Sequence, residues 1–361
     1  MSPVRTRRPT LEQVAAAAGV STSTASKVLN GRPNISPETR RRVEAAIDQL
    51  GYAPTTGPRP GATPRTAVVV FRTLSDIYAM RVLEGVLTSA RDHDVEVLVD
   101  VLDLPGSGAV PLSSAWVRRQ AARDRTGVIV VTAELTAEQH RLLGTSGVAA
   151  VHVDPANPLD DSTVSVGSTN FSGGVQATRH LLSLGHRRIA FAGGRQGFQP
   201  SAERLQGYLS AMRSGGGEVD DALVRSRAHT FEAGVEMADD LLALPDRPTA
   251  VFAASDSIAL GVLSAAQRHG LRVPQDLSVV GFDDSSAAAT SAPALTTVRQ
   301  PIVEMGRVAL RTLLQLARGE GVDSHHVQLS TTLVVRESTA PPATARLDSS
   351  SGTPDRDPGE R

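Results

Sequence analysis

From residue 67 onward, short apolar runs alternate with stretches of helical periodicity, and that alternation sets the fold class. The runs fall at 67–71, 95–101, 128–132, 149–153, 189–192, 250–253 and 278–282, with helical patterns at 78–91, 171–184, 201–213, 256–269 and 302–318. Strand–helix alternation of this length predicts doubly wound parallel sheets, with a ligand crevice beyond the strands' C-terminal ends. Two such layered units fit the span better than one.

Composition narrows the class. The 361 residues are 40% hydrophobic and only 3% aromatic, so aliphatic side chains must fill the cores. There is no cysteine, which removes disulfides, thiol catalysis and thiolate metal sites, and which fits a reducing compartment. No run of about 18 apolar residues suggests a membrane span. The basic start MSPVRTRRPTLEQV lacks the apolar core of a signal peptide, so a cytoplasmic location is expected.

The formal net charge of −1 hides an asymmetry. Residues 1–65 carry ten basic side chains against four acidic ones, a net +6, and the remainder carries −7. A basic head on an acidic body points to a polyanionic partner for the head.

Residues 10–50 read as three short helices. Thr10 and Gln13 form a possible capping box ahead of Leu11, Val14, Ala15 and Ala18. Gly19 and Val20 break the pattern, and Ser21 can cap a second helix with Ala25, Val28 and Leu29 on its apolar face. Ser36 and Pro37 open a third, with Val43, Ala46, Ile47 and Leu50 inward. Two helices joined by a tight turn with glycine make a helix-turn-helix, whose second helix enters the major groove. Its exposed face would be Thr22, Ser23, Ser26 and Lys27, and Lys27 is the only lysine in the chain. Small hydroxyl residues let a helix backbone approach DNA closely, and a lysine there can donate to guanine O6 and N7.

The segment TLEQVAAAAGVSTSTASKVLNGRPNISPETRRRVEAAIDQLGY resembles the headpiece of the LacI/GalR family of bacterial transcription factors. The resemblance continues through HLLSLGHRRIAFAGG, SAERLQGYLSAM, RPTAVFAASDSIALG, VPQDLSVVGFDD and PALTTVRQPIVEMGRVA, and so covers about residues 10–340. FRTLSDIYAMRVLEGV and LSTTLVVRESTAPP are similar to actinobacterial members, some of which are linked to xylose or plant-polysaccharide sugars. The resemblance implies an α/β protein: a three-helix helix-turn-helix headpiece at 1–53, a linker at 54–66, and a periplasmic-binding-protein-like core at 67–340. The core would have two doubly wound subdomains, the first at about 67–166 and 294–325, the second at about 167–293 and 326–340. A polar, Pro/Ser-rich tail at 341–361 is expected to be disordered.

The resemblance places base readers at Thr22, Ser23 and Lys27, and phosphate contacts at Ser21, Thr24, Ser26 and Asn30. Leu11 and the end of the third helix would also lie against the DNA backbone. The chain departs from the family in its linker. Four prolines and two glycines among residues 54–66 cannot hold a regular helix. Gly61 stands where typical members place a leucine that unstacks the central base step, and glycine supplies no wedge. Arg59 and Arg65 either lie along the minor groove or decorate a flexible linker. A linker of this kind transmits a small rotation poorly, so coupling between effector and DNA would act mainly through headpiece spacing.

In the core, the resemblance implies effector contacts from Asp283, at the end of the 278–282 run, and from Arg204. A carboxylate there can accept from two neighbouring sugar hydroxyls, and a guanidinium can donate to ring or hydroxyl oxygens. Tyr78, Thr169, His229 and Ser255 fall at or near other contact positions. His229 stands where relatives often carry a stacking aromatic. Unaided by the resemblance, Asp283 and Asp284 read as a helix cap and Arg204 as a surface ion pair. Trp116, the only tryptophan, reads as a core or surface anchor before a sugar platform.

Enzyme readings find little support. GGRQG at 193–197 is not GxGxxG, no P-loop occurs, and His325-His326 lacks ligand partners at metal spacing. No catalytic, cofactor or metal site is expected. The reading is a dimeric repressor of a pseudo-palindromic operator, released by a small carbohydrate. An effector-tightened regulator and a sugar-binding transport protein are the alternatives. The tail has one leucine and no heptads, which favours a homodimer over a tetramer.

Overall fold

The computed structural model describes residues 10–29, 35–50, 65–74, 76–102, 112–123, 125–158 and 161–343. Asn30, Arg59, Gly61, the linker up to Pro64 and the tail from residue 344 lie outside the described residues, as does the side chain of Leu29. The chain divides into two units, Met1–Pro64 and Arg65–Arg361.

The first unit holds α1 (Leu11–Ala17), α2 (Thr22–Leu29) and α3 (Pro37–Leu50). The capping box forms in both directions: the Gln13 amide N–H donates to Thr10 Oγ1 and the Thr10 N–H donates to Gln13 Oε1. Gly19, at φ 62°, reverses the chain after α1. Ser21 and Ser36 accept from the backbone N–H groups of Thr24 and Thr39, capping α2 and α3. Val14, Ala15, Ala18, Ala25, Val28, Val43 and Ala46 make one core, with Leu11, Val20, Ile35, Ile47 and Leu50 packed against it. Each buried valine contributes roughly 1.5–3 kcal/mol. A core this small depends on few residues.

The second unit contains two six-stranded sheets. The chain runs β1 (Thr66–Phe71), α4 (Ile77–His93), β2 (Glu96–Val101), α5 (Ser114–Ala122), β3 (Gly127–Val131), α6 (Ala137–Thr145), β4 (Ala149–Val153) and β5 (Ser165–Ser168). It continues through α7 (Asn170–Ser183), β6 (Ile189–Gly193), α8 (Gln199–Ser214), β7 (Val224–Ser226), α9 (Phe231–Leu242), β8 (Ala250–Ala253), α10 (Asp256–Arg268), β9 (Ser278–Asp283), α11 (Ser286–Thr290) and β10 (Thr296–Arg299). It ends with α12 (Ile302–Ala317), β11 (His326–Leu329) and β12 (Thr332–Val334). The first sheet has strand order β11-β5-β4-β3-β1-β2 and is parallel throughout. The second has order β12-β10-β9-β8-β6-β7, and only β12 is antiparallel.

Strand membership differs from the expected subdomain ranges. The chain leaves the first sheet after Ser168, returns to that side after Arg299, and leaves again after Leu329. Strand β10 therefore belongs to the second sheet although it follows residue 294, and β11 belongs to the first although it begins at residue 326. Both strands are short and carry polar residues. Thr296 and Thr297 in β10 are fully buried, and their hydroxyls are satisfied by Thr339 and Asp256. A hydrophobicity pattern registers neither strand.

Three helix pairs cross at closely apposed backbones. A Cβ on Gly85 would stand 1.9 Å from the Val303 carbonyl oxygen, and one on Gly306 would stand 2.2 Å from that of Val82. Gly174 and Gly207 play the same part between α7 and α8, as do Gly234 and Gly261 between α9 and α10. Helices this close cannot carry a larger residue at the crossing without moving apart.

Candidate nucleic-acid interface and ligand cleft

The exposed face of α2 carries the expected DNA readers. Thr22, Ser23 and Lys27 are exposed, Thr24 and Ser26 are half-buried, and Ala25 and Val28 are buried. Hydroxyls cluster at the helix start: Ser21 Oγ lies 2.9 Å from Ser23 Oγ and 2.8 Å from Thr24 Oγ1. The first turn of α2 has no acidic residue. Its positive dipole end and its hydroxyls thus present to an anion without competition. Leu11, half-buried, packs on the headpiece core.

The cleft residues lie at the C-terminal ends of strands from both sheets. Asp154 directly follows β4, at φ 42°, and is 3% exposed. The Tyr78 hydroxyl, from the first turn of α4, donates to Asp154 Oδ2 at 2.6 Å. Burial raises the Asp154 pKa, opposed by the Tyr78 hydrogen bond and by Arg204. Burial and the neighbouring Asp154 raise the Tyr78 phenol well above its usual value.

Asp283 ends β9 at φ 118°, a strained conformation for a residue with a Cβ. The Gln300 side-chain amide donates to Asp283 Oδ1 at 2.6 Å, and Gln300 Oε1 accepts from the Ser168 hydroxyl at 2.6 Å. Ser168 and Gln300 stand at two of the points where the chain passes between sheets. Burial holds the Asp283 carboxyl well above the usual carboxylate range; Arg204 opposes this and Asp256 adds to it.

Arg204, 4% exposed, is fixed from three directions. Its Nε donates to Asn170 Oδ1 at 2.9 Å, and a terminal nitrogen donates to the Ala254 carbonyl at 2.5 Å. Its guanidinium carbon lies 3.8 Å from the centre of the Phe282 ring. A terminal nitrogen also stands 3.9 Å from Asp283 Oδ1, too far for a hydrogen bond but close enough for attraction. Arg204 is thus an internal pillar of the cleft and not a surface ion pair.

His229 packs against Gly194 at the end of β6, where a Cβ would stand 1.6 Å from the imidazole Cε1. Its ring meets Phe198 edge-on, with centroids 4.9 Å apart. Burial, aided by Arg204, Arg72 and Arg195, pushes its pKa down to about 3, so the ring is neutral at physiological pH. Its Nε2 is buried without a protein hydrogen-bond partner among the described residues, a donor or acceptor that a ligand could satisfy.

Tyr78, Arg204 and Asp283 therefore belong to one electrostatic neighbourhood, and His229 borders it. Two other expected contacts are engaged elsewhere. Ser255 Oγ caps α10 by accepting from the Ile258 N–H. Thr169 Oγ1 accepts from the Thr331 N–H and lies 3.0 Å from Thr331 Oγ1, which ties two crossovers together. Trp116 is 2% exposed, in the core, and its indole N–H donates to Asp100 at 2.8 Å.

Asp154, Asn170, Ser168 and Gln300 complete the neighbourhood, and the motifs above include none of them. Asp154 carries a sequence signal, because it follows the 149–153 run just as Asp283 follows 278–282. Gln300 follows a strand that the apolar pattern does not reveal.

Residues 10–55 match the family model described as bacterial regulatory proteins, lacI family. Residues 178–339 match a periplasmic binding protein-like domain. The HTH-type transcriptional regulator CelR of Thermobifida fusca is 36% identical over 338 residues, which cover 92% of this chain and 99% of CelR. The chain belongs to the lacI family. Catabolite control protein A of Priestia megaterium is 32% identical over 337 residues, covering 91% of this chain and 99% of that protein. Among solved structures, a CelR–cellobiose complex superposes with a TM-score of 0.69 at 34% identity, covering 92% of this chain and all of the other. A lac repressor dimer bound to operator and the anti-inducer ONPF gives a TM-score of 0.69 at 26% identity, with the same coverage. As a lacI-family member, this chain is a DNA-binding transcriptional regulator with the α/β fold described above.

Proposed function

We propose that this regulator is a repressor that binds a pseudo-palindromic operator as a homodimer and releases it when an uncharged sugar enters the cleft. The observation that carries this reading is the chain of hydrogen bonds from Asp283 through Gln300 to Ser168. It joins a ligand-type carboxylate to the strands where the two lobes exchange chain. A ligand that engages Asp283 or Arg204 bears directly on the lobe-to-lobe contact. Solved relatives described as bound to cellobiose or to operator DNA support both halves of the reading.

In this reading Thr22, Ser23 and Lys27 contact bases, and Ser21, Thr24 and Ser26 contact phosphates. Asp283, Arg204, Asp154 and His229 meet the effector. The protein acts as a regulator without catalysis, in the compartment that holds the chromosome. Among the described residues no helix is long and apolar enough to cross a membrane.

A homodimer surface is present on the first lobe. Helix α4 leaves Ile77, Met80 and Leu87 exposed along one face, and Leu98 and Val99 are exposed on β2, which ends the sheet. An apolar stripe beside a strand edge that is unpaired among the described residues is a surface that needs a partner. The test is operator affinity of the full-length protein with and without candidate sugars, together with its mass in solution. Sugar-induced release from a dimer supports the proposal. Tighter DNA binding with sugar makes the effector a corepressor, and no DNA retention at low salt overturns the reading.

A further inference from the structure

Asp256, the first residue of α10, is 2% exposed and reaches the strand end that carries Asp283 from both sides. Its Oδ2 accepts from the Ser285 N–H at 2.7 Å, two residues after Asp283. Its Oδ1 lies 2.5 Å from where a Cβ on Gly281 would stand, two residues before Asp283. The same Oδ1 accepts from the Thr297 hydroxyl at 2.6 Å, and Thr297 pairs with Gly281 across β9 and β10. Between these anchors the backbone is strained, with φ 118° at Asp283 and 57° at Asp284. Asp256 therefore pins the turn that presents the cleft carboxyl.

The charges around that turn do not balance. Asp284 is met by Arg299 and Arg336. The groups that face Asp283 are Tyr78 of α4, Asp154 after β4, Arg204 of α8 and Asp256 of α10. Full ionisation would set the carboxylates of Asp154, Asp256 and Asp283 against the single guanidinium of Arg204, away from water. Such a group retains a proton. The hydrogen bonds place it. Both oxygens of Asp256 accept, and Asp154 accepts from Tyr78. At Asp283 the Gln300 amide and the Arg204 guanidinium both stand at Oδ1, which leaves Oδ2 for the proton. The Asp283 side chain keeps 19% of its surface exposed, so this oxygen is open to a ligand. Burial and Asp256 both raise the Asp283 pKa, in keeping with that placement.

We propose that Asp256 is a positioning residue of the effector site, which fixes the Asp283 turn and holds on Asp283 a proton that the effector displaces. The Oδ2–H bond breaks, the proton passes to solvent, and Oδ2 accepts from a sugar hydroxyl while Gln300 keeps Oδ1. The hydroxyl drives this step because donors to a carboxylate favour its charged form. Effector binding is thereby linked to the release of a proton. This rests on the sugar-effector reading above.

The test is calorimetric titration of the full-length protein with glucose, xylose, cellobiose and xylobiose, in phosphate and in Tris, whose ionisation heats differ. For a sugar that binds, the wild-type heat should depend on the buffer, and affinity should rise from pH 6 to pH 7 by up to about tenfold. Asp256→Asn is nearly isosteric. Its amide oxygen can accept from Ser285, and its amino group can donate to the Thr297 hydroxyl, which turns to accept. Without the Asp256 charge, Asp283 should ionise before the sugar arrives. The variant should therefore bind at least about threefold more tightly than wild type at pH 6, with most of the pH slope and buffer dependence gone. A residue that only supports the fold would give weaker binding when replaced. Weaker or unchanged binding by Asp256→Asn overturns the proposal while the effector reading stands. Wild-type binding without proton release does the same, and that measurement needs no variant. Binding by none of the sugars overturns the effector reading, and the proton linkage with it.

Discussion

Helix α2 and the candidate ligand cleft solve opposite problems. Thr22, Ser23 and Lys27 are exposed, and the hydrogen bonds around them span two or three residues. Asp154, Arg204 and Asp283 are held by hydrogen-bond partners 17 to 76 residues away along the chain, and Arg204 and Asp154 are almost wholly buried. In the proposed reading the exposed face of α2, presented by a small core, meets phosphates and bases. The cleft is already wired internally, so its groups can respond to a ligand only by exchanging partners. Changes in the helix should therefore alter binding and spare the fold, whereas changes in the cleft should alter both.

The largest effect is expected in the cleft. Arg204→Met strips donors from Asn170 and the Ala254 carbonyl and removes the cation nearest Asp283. The loss should be about 3 kcal/mol of core stability, read by denaturant unfolding, together with loss of the sugar response. Unchanged stability would show that the contrast between the two regions is misdrawn. Lys27→Ala comes next. It should leave the melting curve unchanged, weaken operator binding and relax discrimination at one base pair in each half-site, by about 1–3 kcal/mol. Uniform weakening across all sequences would instead make Lys27 a phosphate contact. Smaller still is Thr10→Ala, which removes the capping box of α1. It should cost about 1 kcal/mol of headpiece stability, visible in hydrogen exchange of the first unit and silent in the second.

The same contrast explains what could be read from the chain. Every cap of the headpiece was legible, because Thr10, Ser21 and Ser36 bond to backbone three residues on. Asp283 and Arg204 became candidates through resemblance; by pattern alone they read as a helix cap and a surface ion pair. Burial of Arg204 depends on Asn170 and Ala254, which no local pattern brings to it. Gln300 and Ser168 are invisible to pattern because β5 and β10 are short and polar, with serines and threonines whose hydroxyls find partners from other elements. The crossing glycines, such as Gly174 and Gly207, were equally silent, since a glycine's reason for being there lies on another helix.

The smallest predicted effect tests the cleft's electrostatics. His229 is neutral in the fold, with its pKa pushed down to about 3, against about 6.5 in an unfolded chain. Between those values the unfolded state takes a proton that the buried ring refuses, so stability is present above about pH 6.5 and is lost as pH falls. From pH 7 to pH 6 the loss from this ring should be at most about 0.7 kcal/mol. Asp154 and Asp283 act in the other direction. Their raised pKa values add stability on the acid side that fades as pH rises. His180 and His186, both lowered by burial, share the sign of His229. The raw pH profile is therefore a sum of opposing terms, and only a difference isolates one of them. Urea unfolding of wild type and His229→Gln at pH 7 and pH 6 supplies that difference: the variant should lose less stability over the interval. An equal loss in both proteins would mean that the ring stays hydrated and protonates freely in the fold, placing a second cation beside Arg204.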